Sequence, residues 1–293
     1  MTNFEPYLED LESRIDEAEE AALLAQWQNF ARGEFTGEMF APVRSRAYPP
    51  GLEWPHPLVN QALDDFDAMV LQQLGGCSQE LAAGTGGLLC VRPNYGTPTL
   101  PSLFGVEIFR PADEIDTLPA SRPLSRAALS AALEAGVPDL HRSLGGQALE
   151  AGERYLEIFA AYPRIAHHVH IYSPDTQSPM DICEMLWGST IFMEAYDQPE
   201  RIHALLEVVT QTYSTFVREW RALATDGLEG MAVYFGMLHG GHILLRDDSA
   251  MNFSPAMYEE FFVPYEQPLL REFGGGALHF CGKGDHYLPR STQ

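Results

Sequence analysis

The sequence predicts an α/β protein built as a (β/α)8 TIM barrel lacking its last one or two βα units, and three observations carry that expectation. Short apolar or alternating runs recur between longer runs with helical spacing, the pattern of a parallel sheet covered by helices. Polar side chains collect at the C-terminal ends of the short runs, where barrels of this kind place their chemistry. No Gly-x-Gly-x-x-Gly turn follows any of them, so a doubly wound sheet has no support. Six strands are counted by residue 281 and the twelve residues after it hold no helix pattern, so the chain is expected to be truncated at its C-terminus.

Taken in order, residues 7–31 place Leu8, Leu11, Ile15, Ala18, Ala22 and Ala25 at helical spacing among acidic residues, so residues 1–38 are expected to form an N-terminal helical segment outside a barrel domain of residues 39–293. Residues 39–43 read as a short strand delivering Arg44 and Arg46, and residues 47–57 hold four prolines and read as a loop. A helix over 57–74 is expected to stop at Gly75-Gly76. Residues 87–94 alternate, with Leu88, Cys90, Arg92 and Asn94 on one face. Residues 96–146 read as a long excursion with a helix near 125–135, followed by a helix over 147–162 and a strand over 165–172 that carries His168, His170 and Tyr172 on one face. Helices are expected at 180–187 and from Asp197-Gln-Pro-Glu200 onward, where an acidic cap and a first-turn proline mark the start. Strands follow at 231–236 and 242–247, then a helix from Ser254-Pro255 kinked by Pro264, then a strand over 276–281.

Composition narrows the function classes. A formal charge of −23, with Lys283 the single lysine, would repel a phosphate backbone, which disfavours nucleic acid and anionic membrane surfaces as partners. The hydrophobic fraction of 45% supplies a real core. Cys77, Cys90, Cys183 and Cys281 are far apart and form no Cys-x-x-Cys pair, which fits a reducing cytoplasm better than a disulfide framework. No signal peptide and no run of about 18 apolar residues is seen.

The strand ends supply the candidate site. On a strand, His279 and Cys281 project from one face, and an imidazole with a thiolate is a natural zinc pair. His286 is the nearest residue that could complete the set. Asp247 and Asp248 alternate, so one of them is expected to point inward and to orient a ligand histidine or act as a base. Tyr172 could donate to a substrate from its strand end. Arg44, Arg46, Arg92, Asn94, His170 and His239 are candidate substrate contacts, the first two as carboxylate clamps or as partners of surface acids.

The stretches Gln177-Ser-Pro-Met-Asp-Ile-Cys-Glu-Met-Leu-Trp-Gly188, Asp247-Asp-Ser-Ala-Met-Asn-Phe-Ser-Pro-Ala-Met-Tyr-Glu-Glu-Phe-Phe-Val-Pro-Tyr265 and Leu278-His-Phe-Cys-Gly282 resemble the uroporphyrinogen decarboxylase superfamily, which also contains the methylcobamide methyltransferases. The resemblance covers roughly residues 39–289 and implies a (β/α)8 barrel. In the methyltransferase branch a His-x-Cys pair and a later Cys hold Zn2+, which activates a small thiol-type acceptor for the methyl group of a corrinoid carried by a partner protein. His279 and Cys281 match that pair, and the later Cys is not in this chain. In the decarboxylase branch no cofactor is used, and arginines hold a tetrapyrrole with many carboxylates. Arg44 and Arg46 match that role, but the Arg-Gln-Ala-Gly-Arg pattern is absent and the second strand ends Arg92-Pro-Asn-Tyr without an Asp. Zinc-dependent methyl transfer is therefore the leading expectation. Decarboxylation of uroporphyrinogen, a porphyrin-pathway reaction, and an inactive tetrapyrrole- or corrinoid-protein-binding scaffold are the alternatives.

Overall fold

The computed structural model describes residues 3–224 and 227–282. The predicted first helix is two helices, α1 (Glu5–Arg14) and α2 (Glu17–Ala31). The break is local chemistry: Ile15 is extended, and the Asp16 side chain caps α2 by accepting from the Glu19 N–H. Similarly, Asp65 separates α3 (Val59–Asp64) from α4 (Phe66–Ala83) by accepting from the Asp67 N–H. Gly75 and Gly76 do not end α4 as expected. The helix runs through them to Gly84, whose φ of 65° closes it, because Leu71, Leu74, Cys77 and Leu81 are buried along one face. That burial outweighs a glycine cost of about 1 kcal/mol each.

The strands are shorter than the sequence implies. Residues 39–43 form no strand, only an isolated antiparallel bridge between Val43 and Thr85. Within 87–94 only β1 (Cys90–Val91) is paired. The excursion contributes an antiparallel pair, β2 (Glu107–Phe109) with β3 (Ala120–Arg122), then α5 (Arg126–Ala135), capped by Ser125, and α6 (Ser143–Phe159). Residues 165–172 are not one strand: Pro163 sits in the first turn of α7 (Pro163–His168), so His168 is helical and only β4 (His170–Ile171) is paired.

The next helices, α8 (Pro179–Trp187), α9 (Ile191–Asp197) and α10 (Pro199–Leu223), lie where periodicity places them. After them comes a hairpin of β5 (Met231–Tyr234) and β6 (Met237–Gly240), then β7 (Ile243–Arg246). The expected kinked helix is α11 (Pro255–Phe261) and α12 (Val263–Glu272), divided at Phe262 because Pro264 lacks the N–H to continue the ladder. The chain of paired elements ends with β8 (Gly276–His279).

Among the described residues the eight strands form four two-stranded sheets, none of them closed. β1 pairs with β4 and β7 with β8, both in parallel, and the last pair is joined through α11 and α12 as a βαβ unit. Single backbone bonds stitch the pairs to their neighbours: Leu88 N–H donates to Gly236, and Ser178 N–H to Arg246. One large apolar cluster runs from Leu8 of α1 to Phe273 after α12. A smaller cluster packs Leu23 and Trp27 of α2 against Leu88, Met231, Val233 and Leu238, so the N-terminal helices cover the sheet edges. No helix among the described residues is long and apolar enough to cross a membrane.

Arg44 clamps this N-terminal cover. Its guanidinium is buried against Glu20, with Nε 2.6 Å from Oε1 and Nη2 2.7 Å from Oε2, and it donates to the Thr85 and Gly87 carbonyls. Removing one side strands a buried charge. Glu20→Ala should therefore lower unfolding stability by about 3–5 kcal/mol in urea titrations. A loss no larger than that of an exposed ion pair would contradict the clamp.

Candidate metal centre and strand-end site

Both parallel pairs end on the same buried loop. After β4 the chain runs through Ser173-Pro-Asp175-Thr-Gln-Ser178, whose last four side chains are all buried. Asp175 accepts from Arg246 Nη1 at the end of β7 and from Gln177 Nε2 at 2.9 Å, and its Oδ2 lies 3.4 Å from Arg92 Nη1 just past β1. One carboxylate thus joins the ends of two sheets. Arg246 also donates to the Tyr234 hydroxyl at 3.2 Å and reaches Asp248 Oδ2 at 3.9 Å.

Asp248 is the link to the His-x-Cys pair. Its Oδ1 accepts from the Cys281 N–H at 3.0 Å and lies 3.4 Å from His279 Nε2, while the Cys281 Sγ is 3.4 Å from the same nitrogen. The three ligand atoms lie within 4.8 Å of one another. A hydrogen bond to the Asp248 carboxylate and its charge push the Cys281 thiol up from its ordinary value. Imidazole, thiol and carboxylate on three accessible side chains are a donor set that suits zinc. The residues present therefore fit that metal.

Beneath the triad lie three buried acids. Asp181, in the first turn of α8, accepts from Ser178 Oγ and from the Ser249 N–H, both at 2.8 Å. Asp247 and Glu266 lie against each other, and Tyr258 donates to Glu266 Oε2 at 3.1 Å. Burial raises the pKa of all three, Asp247 to about 6, which shifts the group toward the protonated form.

The expected site residues are dispersed differently. His279, Cys281 and Asp248 come together; Asp247 lies below them, buried against Glu266. Strict alternation fails to separate the two aspartates because the strand ends at Arg246 and Asp248–Asn252 is a 3-10 turn. Arg92, Asn94 and Tyr172 line a separate cavity of about 280 Å3. His239 borders one of about 350 Å3 with Tyr172, Tyr213, Trp220 and Tyr234, and its Nδ1 is 3.0 Å from the Gly240 carbonyl oxygen. His170 is buried toward Phe159 at the end of α6 and the following Ala160, on the helical side. Arg44 is held by Glu20 beside Gly87, on the N-terminal side of β1, and Arg46 is exposed, 3.8 Å from Asp16 and over the Tyr48 ring. Neither joins the strand-end group. His286 lies outside the described residues.

Asp175, Asp181 and Glu266 escaped sequence reasoning. Asp181 was the most legible, since Ser178-Pro-Met-Asp181 has the spacing of a capping box. Nothing local distinguishes Asp175 or Glu266 from surface acids.

No protein-family model matches the chain, and no curated protein matches it. Among solved structures, it is similar to a methyltransferase from Methanosarcina mazei, at 17% identity and a TM-score of 0.60, over 81% of this chain and 63% of that one. The chain thus spans under two thirds of that protein, and at this identity the likeness is one of fold.

Burial on the helical side gives a pH signature. Desolvation, then the neighbouring His168 and His167, lower the His170 pKa to about 4, from 6.5 unfolded. The unfolded chain then binds the extra proton, so this histidine removes stability as pH falls through 6.5 toward 4. Between pH 7 and 5 the loss should be about 2 kcal/mol, and His170→Leu should remove it. Denaturant titrations at both pH values with equal slopes for the variant and the parent would contradict this placement.

Proposed function

We propose that the chain has the architecture of a (β/α)8-type methyltransferase, and that His279, Cys281 and Asp248 hold zinc where a small thiol-type acceptor takes a methyl group from a corrinoid carried by a partner protein. The single observation that carries this reading is the convergence of the three donor atoms within 4.8 Å at the ends of β7 and β8. The fold likeness supports it. Asp248 takes the third position that sequence reasoning assigned to His286.

Zinc there would act as a Lewis acid that keeps an acceptor thiol deprotonated at neutral pH. The chain's own residues prepare the place. The β7–β8 register sets Arg246 opposite His279, and Asp247 N–H donates to the His279 carbonyl at 2.7 Å, which fixes the backbone that presents the imidazole. Asp248 holds the Cys281 amide, so the thiol turns back toward the ring. Arg246 stays near Asp248 Oδ2 and leaves Oδ1 toward the triad. In the transfer, the acceptor sulfur forms the S–C bond as the donor's bond to methyl breaks, and that bond's electron pair stays on the donor.

Metal analysis tests the reading directly. The purified chain should carry about one zinc, and Cys281→Ala or Asp248→Ala should lose most of it while remaining folded. Transfer from methylcobalamin to a thiol should fall in step, by at least about tenfold. A folded parent chain without zinc affinity, or full retention in both variants, would sink the proposal.

A further inference from the structure

The cavity of about 280 Å3 beside β1 is not used by the proposed metal chemistry and shares no lining residue with Asp248, His279 or Cys281. Gln73, Cys90, Arg92, Asn94, Tyr172 and Phe235 are among its walls. Two features of that wall call for a ligand, and they are independent of each other.

The first is Arg92, which is 5% exposed. Its Nε donates to Asn94 Oδ1 at 3.0 Å. Its Nη1 is buried without a hydrogen bond: Asp175 Oδ2 stands 3.4 Å away as a long ion pair, while Oδ1 of the same carboxylate accepts from Arg246 and Gln177. Two guanidiniums share this one carboxylate, so Arg92 has a long ion pair and a single side-chain hydrogen bond for a buried fork that could donate more. A planar fork of N–H donors is matched by the two oxygens of a carboxylate.

The second is Phe235, at the turn between β5 and β6. Its φ is +47°, a conformation that favours glycine or asparagine, and it is followed by Gly236 at +73°. The strained residue is a large ring, 53% exposed, standing 4.8 Å from the Arg92 guanidinium and 5.7 Å from the Tyr172 ring. Neither backbone geometry nor burial explains a phenylalanine there, whereas strain retained at a cavity wall is a mark of binding. Phe235 and Tyr172 form two aromatic surfaces beside the guanidinium, and burial raises the Tyr172 pKa, so its hydroxyl stays a donor.

We propose that this cavity binds a small molecule bearing a carboxylate, which pairs with Arg92, and a flat apolar body, which lies against Phe235 and Tyr172. The one acid lining it, Glu80, does not oppose this. Its Oε2 accepts from the Thr85 hydroxyl and lies against Gly87, so that carboxylate is already engaged.

Calorimetric titration of the full chain in the presence of a metal chelator tests this apart from the zinc reading. The probes are acetate, benzoate and phenylacetate, each beside its neutral amide. The aromatic carboxylates should bind at least about tenfold tighter than their amides, and Arg92→Gln should erase the preference. Phe235→Gly should weaken benzoate and phenylacetate by about fivefold or more while holding or raising Tm, since glycine adopts the turn without strain. A merely structural ring would instead cost stability and leave affinity unchanged. Saturable binding absent for all three acids up to the low millimolar range, equal affinity for acid and amide, or unaltered affinity in Phe235→Gly would overturn the proposal, even if Arg92→Gln did not fold.

Discussion

The strand-end half of this protein depends on the Asp175 carboxylate. A loop of four buried residues is unusual, because every polar group it carries must find a partner away from water. Here the partners are the strand ends themselves. Asp175 meets Arg92 and Arg246, and the Ser178 N–H meets the Arg246 carbonyl. The loop thereby fastens β1 and β4 to β7 and β8, which share no strand pairing. Such a bridge stabilises only as a unit: desolvating the ions costs much of what their attraction returns, while losing one member leaves the others buried and unmatched.

The same bridge orders the electrostatics of the site. The chain carries a net charge of −23, yet two of its arginines are spent at this centre. Below them, Asp181, Asp247 and Glu266 are raised toward the neutral form by burial, so the acids that a count of charges would place there contribute less than their number implies. Asp248 differs because it is only half-buried, with Arg246 on one side and the His279–Cys281 pair on the other. Adjacent aspartates thus have opposite environments, one suited to holding a proton and the other to holding a cation. That division follows from the turn of the backbone after Arg246.

The legibility of the chain varied with the range of the interactions involved. The long helices α6 and α10 were readable because their apolar stripes repeat within the segment. The pair His279 and Cys281 was readable because a two-residue spacing on a strand needs no partner to define its face. The strands themselves were overextended, since where pairing stops depends on a neighbour that the segment does not contain. The β5–β6 hairpin was missed because Phe235-Gly236 lacks the usual Asn-Gly signal. Arg44 looked like a clamp for ligand acids, and only its approach to Glu20, 24 residues earlier in the chain, showed that an internal acid satisfies it.

By itself, the sequence determined the alternation of helices and strands, the net negative charge, and the pairing of His279 with Cys281, because each rests on local spacing or total charge. Tertiary structure alone decided that Asp248 joins them, that Arg92 and Arg246 converge on Asp175, and that His170 faces helices rather than the strand ends. The first two outcomes depend on groups far apart in the sequence, 33 residues for Asp248 and Cys281 and 71 for Asp175 and Arg246, meeting in a medium where charge must be matched.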